Sequence, residues 1–186
     1  MENKRQQILD TALQLIQQSG FDSFSYSDLS EIVGITKASI HYYFPSKEDL
    51  GIAVLKMVGE RSQLLNAIIA QRQSPTEMLS LYVKAVLISN PGEMICPVSS
   101  LQAAYNVIPE AMKAELQRLS ALELDSLTAI LQQGLDEGVF EFKGTAREYA
   151  ALMLTSLKGA LQYSRALKED LRKSVIDVLM RQILKP

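Results

Sequence analysis

The chain has 186 residues, of which 47% are hydrophobic and 22% charged, a globular balance with enough length for a sizeable core that excludes a disordered chain. Nineteen Lys and Arg stand against 21 Asp and Glu, a formal net charge of −2 that excludes a strongly basic nucleic-acid coat protein. One cysteine, Cys96, and one histidine, His41, exclude an intrachain disulfide, a thiolate zinc site and a His cluster, so no metal or cofactor is expected. From residue 4 to 19, Ile8, Ala12, Leu15 and Ile16 recur at helical spacing with Leu9 and Leu13 widening the stripe, and Gly20 follows as a stop. Short pieces come next: residues 25–33, a Gly34-Ile35 turn, residues 36–44 and a Pro45-Ser46 break.

The chain then reads helical from residue 47 to about 73, where Ser74-Pro75 interrupts it, and again from 76 to 88. Asn90-Pro91-Gly92 is a turn signal, and residues 94–97 form an irregular connector. Residues 101–105 read as a short helix, and Pro109 suits the first position of a long helix that Gly138 stops near residue 137. Residues 139–144 are a brief extended link before two closing helices, about 145–166 and 169–184. No strand pair, repeat or low-complexity tract interrupts this pattern, so the expected fold class is all-α. No apolar run approaches the roughly 18 residues of a membrane span, and the opening MENKRQQ lacks a signal-peptide core, so a cytoplasmic protein is expected.

The short helices carry the chemistry. Ser25-x-x-Asp28 is a variant capping box, Gly34 suits a left-handed stop, Thr36 can cap the next helix, and Ser46-x-x-Asp49 repeats the device. Two helices joined by a three-residue Gly-containing turn match a helix-turn-helix, whose second helix enters the DNA major groove. At about 100° per residue, Ile40 and Phe44 fall on the inward side of that second helix. Ala38, Ser39, His41 and Tyr42 then face outward, with Lys37 and Tyr43 flanking. Such a face offers hydrogen-bond donors, aromatic edges and close approach, with no carboxylate to repel phosphate.

Residues 5–55 resemble the N-terminal DNA-binding region of the TetR family of bacterial transcription regulators. The resemblance rests on the opening Arg5-x-x-Ile8-Leu9, the Leu15-Ile16-x-x-x-Gly20-Phe21 end of the first helix, Asp28-Leu29, and above all the run VGITKASIHYYFPSKEDL over residues 33–50. It covers about 50 of the 186 residues. It implies a three-helix DNA-binding domain over residues 1–46 and a helical effector-binding and dimerisation domain over 47–186, working as a homodimer on double-stranded operator DNA. By the same resemblance Thr36, Lys37, Ala38, Ser39 and Tyr42 face the operator, and His41 stands where the family usually has a Tyr that touches phosphate. Lys47, Lys4 and Arg5 are expected on backbone phosphate, with Ser25 and Ser27 as further backbone candidates.

The remainder says less. Tyr149, Ala150, Leu152, Met153, Leu154, Leu157, Ala160, Leu161 and Leu167 on the first closing helix cover more than one face, and Leu171, Val175, Val178, Leu179 and Ile183 on the second form a stripe. A helix apolar on more than one side requires burial on both, and Tyr149, Met153, Leu157, Leu161, Leu171, Val175, Val178 and Leu179 are the expected contact residues. The resemblance places a second copy's helix pair there, and a thick intrachain core is the alternative. Met78, Tyr82, Met94, Cys96, Tyr105, Met112 and Met153 are candidate lining residues for an apolar or amphipathic effector, and the same residue types also serve as plain core. Cys96 can be read as an oxidant- or electrophile-sensing thiol or as a buried inert one, and nothing cationic lies near it in sequence. No phosphate loop, Ser-His-Asp arrangement or His pair appears, so no enzyme is expected. A helical protein-binding adaptor is the other alternative.

Charge divides unevenly. Residues 1–50 hold four basic and seven acidic side chains, a net −3, and the rest carries +1. With four basic residues in each of two heads, the salt slope of DNA binding should be no steeper than roughly −7.

Overall fold

The computed structural model describes residues 4–184, which are all-α: nine helices and a single 3-10 turn, with no strand among the described residues. The helices are α1 (Lys4–Ser19), α2 (Tyr26–Val33), α3 (Lys37–Tyr43), α4 (Lys47–Ile69), α5 (Pro75–Ile88), α6 (Pro97–Ala103), α7 (Glu110–Asp136), α8 (Ala146–Leu167) and α9 (Arg172–Ile183), with the 3-10 turn Phe21–Ser23 before α2. None is long and apolar enough to cross a membrane, among the described residues.

Three boundaries differ from the sequence reading, each for a backbone reason. Helix α4 stops at Ile69, where the Gln71 and Arg72 N–H groups turn to carbonyls three residues back, and Ser74, extended before Pro75 (φ −132°, ψ 146°), caps α5 by accepting the Glu77 N–H. Helix α6 begins at Pro97 and ends at Ala103, since proline is tolerated in a first turn, and residues 104–107 only form turns. Helix α9 begins at Arg172: Lys168 is left-handed (φ 56°), and the Asp170 carboxylate accepts the Arg172 N–H at 3.0 Å.

The chain forms two compact units. The first takes the residues up to Arg61 together with Pro97–Leu119, and the second takes Ser62–Cys96 together with the residues from Ser120 on. Helices α4 and α7 contribute residues to both. In the first unit the α1 stripe Ile8, Leu9, Ala12 and Ile16 is buried, as are Leu29 of α2, Ile40 of α3 and Leu50 and Val54 of α4. The second unit has an apolar core built on Leu79, Leu127, Leu131, Phe140, Ala150, Met153, Leu157 and Ile183. Gly134 is required in this core, because a Cβ there would lie 1.9 Å from the Phe140 ring.

Candidate DNA-binding surface

Helices of eight and seven residues are too short to persist by propagation alone, so α2 and α3 depend on their ends. Ser25 accepts the backbone N–H groups of Ser27 and Asp28, while the Asp28 carboxylate accepts the Ser25 N–H at 2.7 Å and its hydroxyl at 2.8 Å. Those hydrogen bonds, the backbone one foremost, hold the Asp28 carboxyl below the usual range. Gly34 ends α2 in the left-handed region (φ 68°), its N–H donating to the Ser30 carbonyl at 3.0 Å. Two residues later Thr36 caps α3, its hydroxyl accepting the Ser39 N–H at 3.1 Å and lying 2.8 Å from the Ser39 hydroxyl.

Helix α3 is thereby presented with Ile40 fully buried and Tyr42 82% exposed. Lys37, Ala38 and His41 are also exposed, and Ser39 and Tyr43 are half-buried. The Tyr42 and Tyr43 rings meet edge to face, 5.2 Å between centroids. Exposed Lys4 and Arg5 lie on the first turn of α1, Lys4 donating to Gln7 at 2.8 Å and Arg5 lying over the Phe44 ring at 5.2 Å. Ser27 is exposed, and the exposed Ser25 is engaged in its own cap.

Lys47 is arranged differently from the other cations. Its ammonium donates to the Phe24 carbonyl at 2.5 Å and lies 4.9 and 4.6 Å from the centroids of the Phe21 and Phe24 rings. Burial lowers its pKa, against the opposing charges of Asp22 and Asp28. This half-buried side chain ties the start of α4 to the segment before α2.

Sequence reasoning passed over Tyr26. Its buried ring leaves the hydroxyl 2.9 Å from the Phe44 carbonyl and 2.5 Å from that of Ser46, and burial, with the Asp49 charge adding, pushes its pKa up to about 12. The available signal was the inward spacing of Tyr26, Leu29 and Val33, which marks a core aromatic but not the reach of its hydroxyl.

The effector candidates fall into two groups. Met78, Tyr82 and Met153 share the apolar core of the second unit, where the Tyr82 hydroxyl is 3.4 Å from the Glu123 carbonyl and burial raises its pKa, with Glu123 and then Cys96 adding to the shift. Cys96 is buried and Met94 half-buried in the same unit. Tyr105 and Met112 belong to the first unit, where Tyr105 bonds Gln117 and Met112 fills the space over Gly51.

Of the residues assigned to a dimer contact, Tyr149, Met153, Leu157, Leu161 and Leu179 are buried within their own unit. Leu171 and Val175 are half-buried, and Val178 is exposed. The outward apolar stripe of α8 is a neighbouring one, Leu152, Tyr163 and Leu167, interrupted by Gly159, whose Cβ would meet nothing within 4 Å. Both stripes are apolar in sequence, and only packing distinguishes them.

The family model described as bacterial regulatory proteins, tetR family, matches residues 8–54. The crystal structure of a TetR-family transcriptional regulator from Agrobacterium tumefaciens is similar over 98% of each chain, with 30% identity and a TM-score of 0.91. The regulator RutR of Escherichia coli K12 is 42% identical over 55 residues, 30% of this chain and 26% of that protein. At 19% identity the fold is also shared with FadR of Bacillus subtilis, solved in complex with stearoyl-CoA, over 94% of this chain and 96% of that one with a TM-score of 0.68.

Proposed function

The chain belongs to the TetR family and is a DNA-binding transcriptional regulator, and from that premise we propose a homodimeric repressor that a small molecule releases from its operator. The observation that carries this reading is the face of α3: exposed, free of carboxylate, and set between capped helix starts. In this reading Tyr42, Lys37, Ala38, Thr36 and Ser39 meet base edges and adjacent phosphates in the major groove, and Tyr43 packs at their edge. Lys4, Arg5 and Ser27 meet backbone phosphate. Lys47 tethers the start of α4 through the Phe24 carbonyl and keeps further N–H donors for backbone phosphate.

DNA of two half-sites is matched by a two-fold dimer. The outward stripe of α8, Leu152, Tyr163 and Leu167, supports a second copy as its cover, and Val178 of α9 is exposed as well. Residues 1–46 then read DNA, and 47–186 bind effector and dimerise. The effector is apolar or amphipathic, a class supported by the apolar surroundings of Met78, Tyr82 and Met153 and by the acyl-CoA held in FadR. Helix α4 contributes to both units, so a ligand that binds the DNA-incompetent state more tightly changes the presentation of α3 through it. The role is non-enzymatic and cytoplasmic.

Selection of fragments from a random-sequence duplex library by the purified chain tests this. The expected product is a two-fold symmetric site with half-sites one helical turn or more apart. Failure to select any sequence at low salt would overturn the reading, and an asymmetric single half-site would overturn the dimer.

A further inference from the structure

Three consecutive carbonyls join α3 to α4, those of Phe44, Pro45 and Ser46, and two aromatic side chains hold all of them. The Tyr26 hydroxyl has one proton, shared between Phe44 and Ser46 with the shorter contact to Ser46. His41 Nδ1 lies 3.1 Å from the Pro45 carbonyl. A carbonyl oxygen only accepts, so Nδ1 must carry a proton in this contact and the neutral ring is the Nδ1–H tautomer. Nε2 of that neutral ring is then a lone-pair acceptor and has no hydrogen to give a phosphate. The two rings meet edge to face at 4.8 Å and 63°, so each orients the other.

We propose that Tyr26 and His41 are a positioning pair that sets the angle at which α3 is presented to DNA, with His41 acting through Nδ1 on Pro45 and not by touching DNA. The inference rests on the DNA-binding reading above. The Phe44 N–H closes α3 on the Ile40 carbonyl and Ser46 caps α4 through Asp49, but Pro45 between them has no N–H, so the Tyr26 and His41 contacts bias the angle between these two fixed ends. Affinity for a specific site scales with the fraction of molecules in the competent geometry. Contacts with phosphate alone are less sensitive to that angle than base contacts are.

The test compares His41→Asn, His41→Gln and Tyr26→Phe in the full chain. The Asn amide nitrogen falls near the place of Nδ1, and that of Gln falls near the place of Nε2. Titrations use the duplex selected by the wild-type chain and a mixed-sequence duplex, with melting temperature and helix content recorded for each variant. The expected result is a loss of about tenfold on the selected duplex for His41→Gln and for Tyr26→Phe, the scale of one net hydrogen bond at the corner. His41→Asn should stay within about twofold of wild type, and all three should remain folded at the assay temperature and bind the mixed duplex within about twofold. Retention by His41→Gln with loss by His41→Asn would assign Nε2 to direct DNA contact and overturn the proposal. Equal losses on both duplexes, or a Tyr26→Phe variant that binds as wild type, would overturn it as well. A wild-type chain that selects no sequence instead defeats the DNA reading itself, an outcome distinct from these.

Discussion

The corner built by α2 and α3 and the α8–α9 pair start from the same device and end in different physics. Ser25 with Asp28, and Thr145 with Glu148, are both complete capping boxes. The first opens a helix of 8 residues that buries Tyr26 and Leu29, whereas the second opens one of 22 residues that buries eight side chains from Ala146 to Leu161. Short helices that must leave a polar face to solvent have little apolar area to bury, so hydrogen bonds from side chain to backbone carry their geometry. A long helix with an apolar face draws its stability from burial, and its cap trims only one end. Position is therefore the vulnerable property of the corner, and stability that of the α8–α9 pair.

Core truncations should separate the two most widely. Ile40→Ala and Leu131→Ala each remove a fully buried side chain, and each should cost about 2–5 kcal/mol in thermal or urea unfolding. Leu131→Ala should still bind the selected duplex at a temperature where it remains folded. Ile40→Ala should not, because the lost packing lies directly beneath the outward face of α3. Comparable DNA affinity for the two variants, measured below both transitions, would mean that α3 needs no support from below.

The caps come next in size. Ser25→Ala and Thr145→Ala should each cost about 1 kcal/mol. Hydrogen exchange at the Ser27 and Asp28 amides should accelerate in the first, and at the Glu148 amide in the second, but only Ser25→Ala should weaken DNA binding. The carboxylates of these boxes give a pH signature. Hydrogen bonds from Ser25 and Thr145 hold the Asp28 and Glu148 carboxyls below their usual range. A depressed folded-state pKa contributes stability that is complete above the unfolded value, about 4, and is lost as pH falls through the folded one. Far-UV circular dichroism should thus show the acid loss of both caps beginning only below about pH 4. Ser25→Ala should reduce the part that belongs to α2.

How much of this was readable beforehand follows the same division. Caps and stops are local, so Ser25, Gly34, Thr36 and the inward turn of Ile40 and Phe44 could be placed from spacing alone. Contacts between segments distant in sequence could not. Lys47 is expected on phosphate because helix N-termini favour anions, and its bond to the Phe24 carbonyl, 23 residues away, carries no local sequence signal. Tyr26 reaches Phe44 and Ser46 across 18 and 20 residues. In α8 the sequence shows apolar residues on more than one side, and packing against the core of the second unit decides that Met153 and Leu157 lie inside while Leu152 and Leu167 stay exposed. The seven effector candidates were gathered by residue type, which carries no information on depth, and they divide between the two units.

The smallest effect expected is in the ion pairs, and salt is the lever that resolves it. Arg61 and Asp10 meet at 2.6 Å in the first unit with about half of each side chain exposed, while Lys158 and Glu123 meet at 2.5 Å in the second with 17% and 20% exposed. A double-mutant cycle on Arg61 and Asp10 should give a coupling of about 0.2–1 kcal/mol that fades toward zero in 1 M salt, where the screening length is about 3 Å. The Lys158–Glu123 coupling should be the larger and should keep most of its value in the same salt, because solvent ions reach it less. If instead the exposed pair resists salt as well as the shielded one, charge pairs in the two units are equally protected. Only the hydrogen bonds at the α2–α3 corner would then distinguish a unit held by polar contacts from one held by burial.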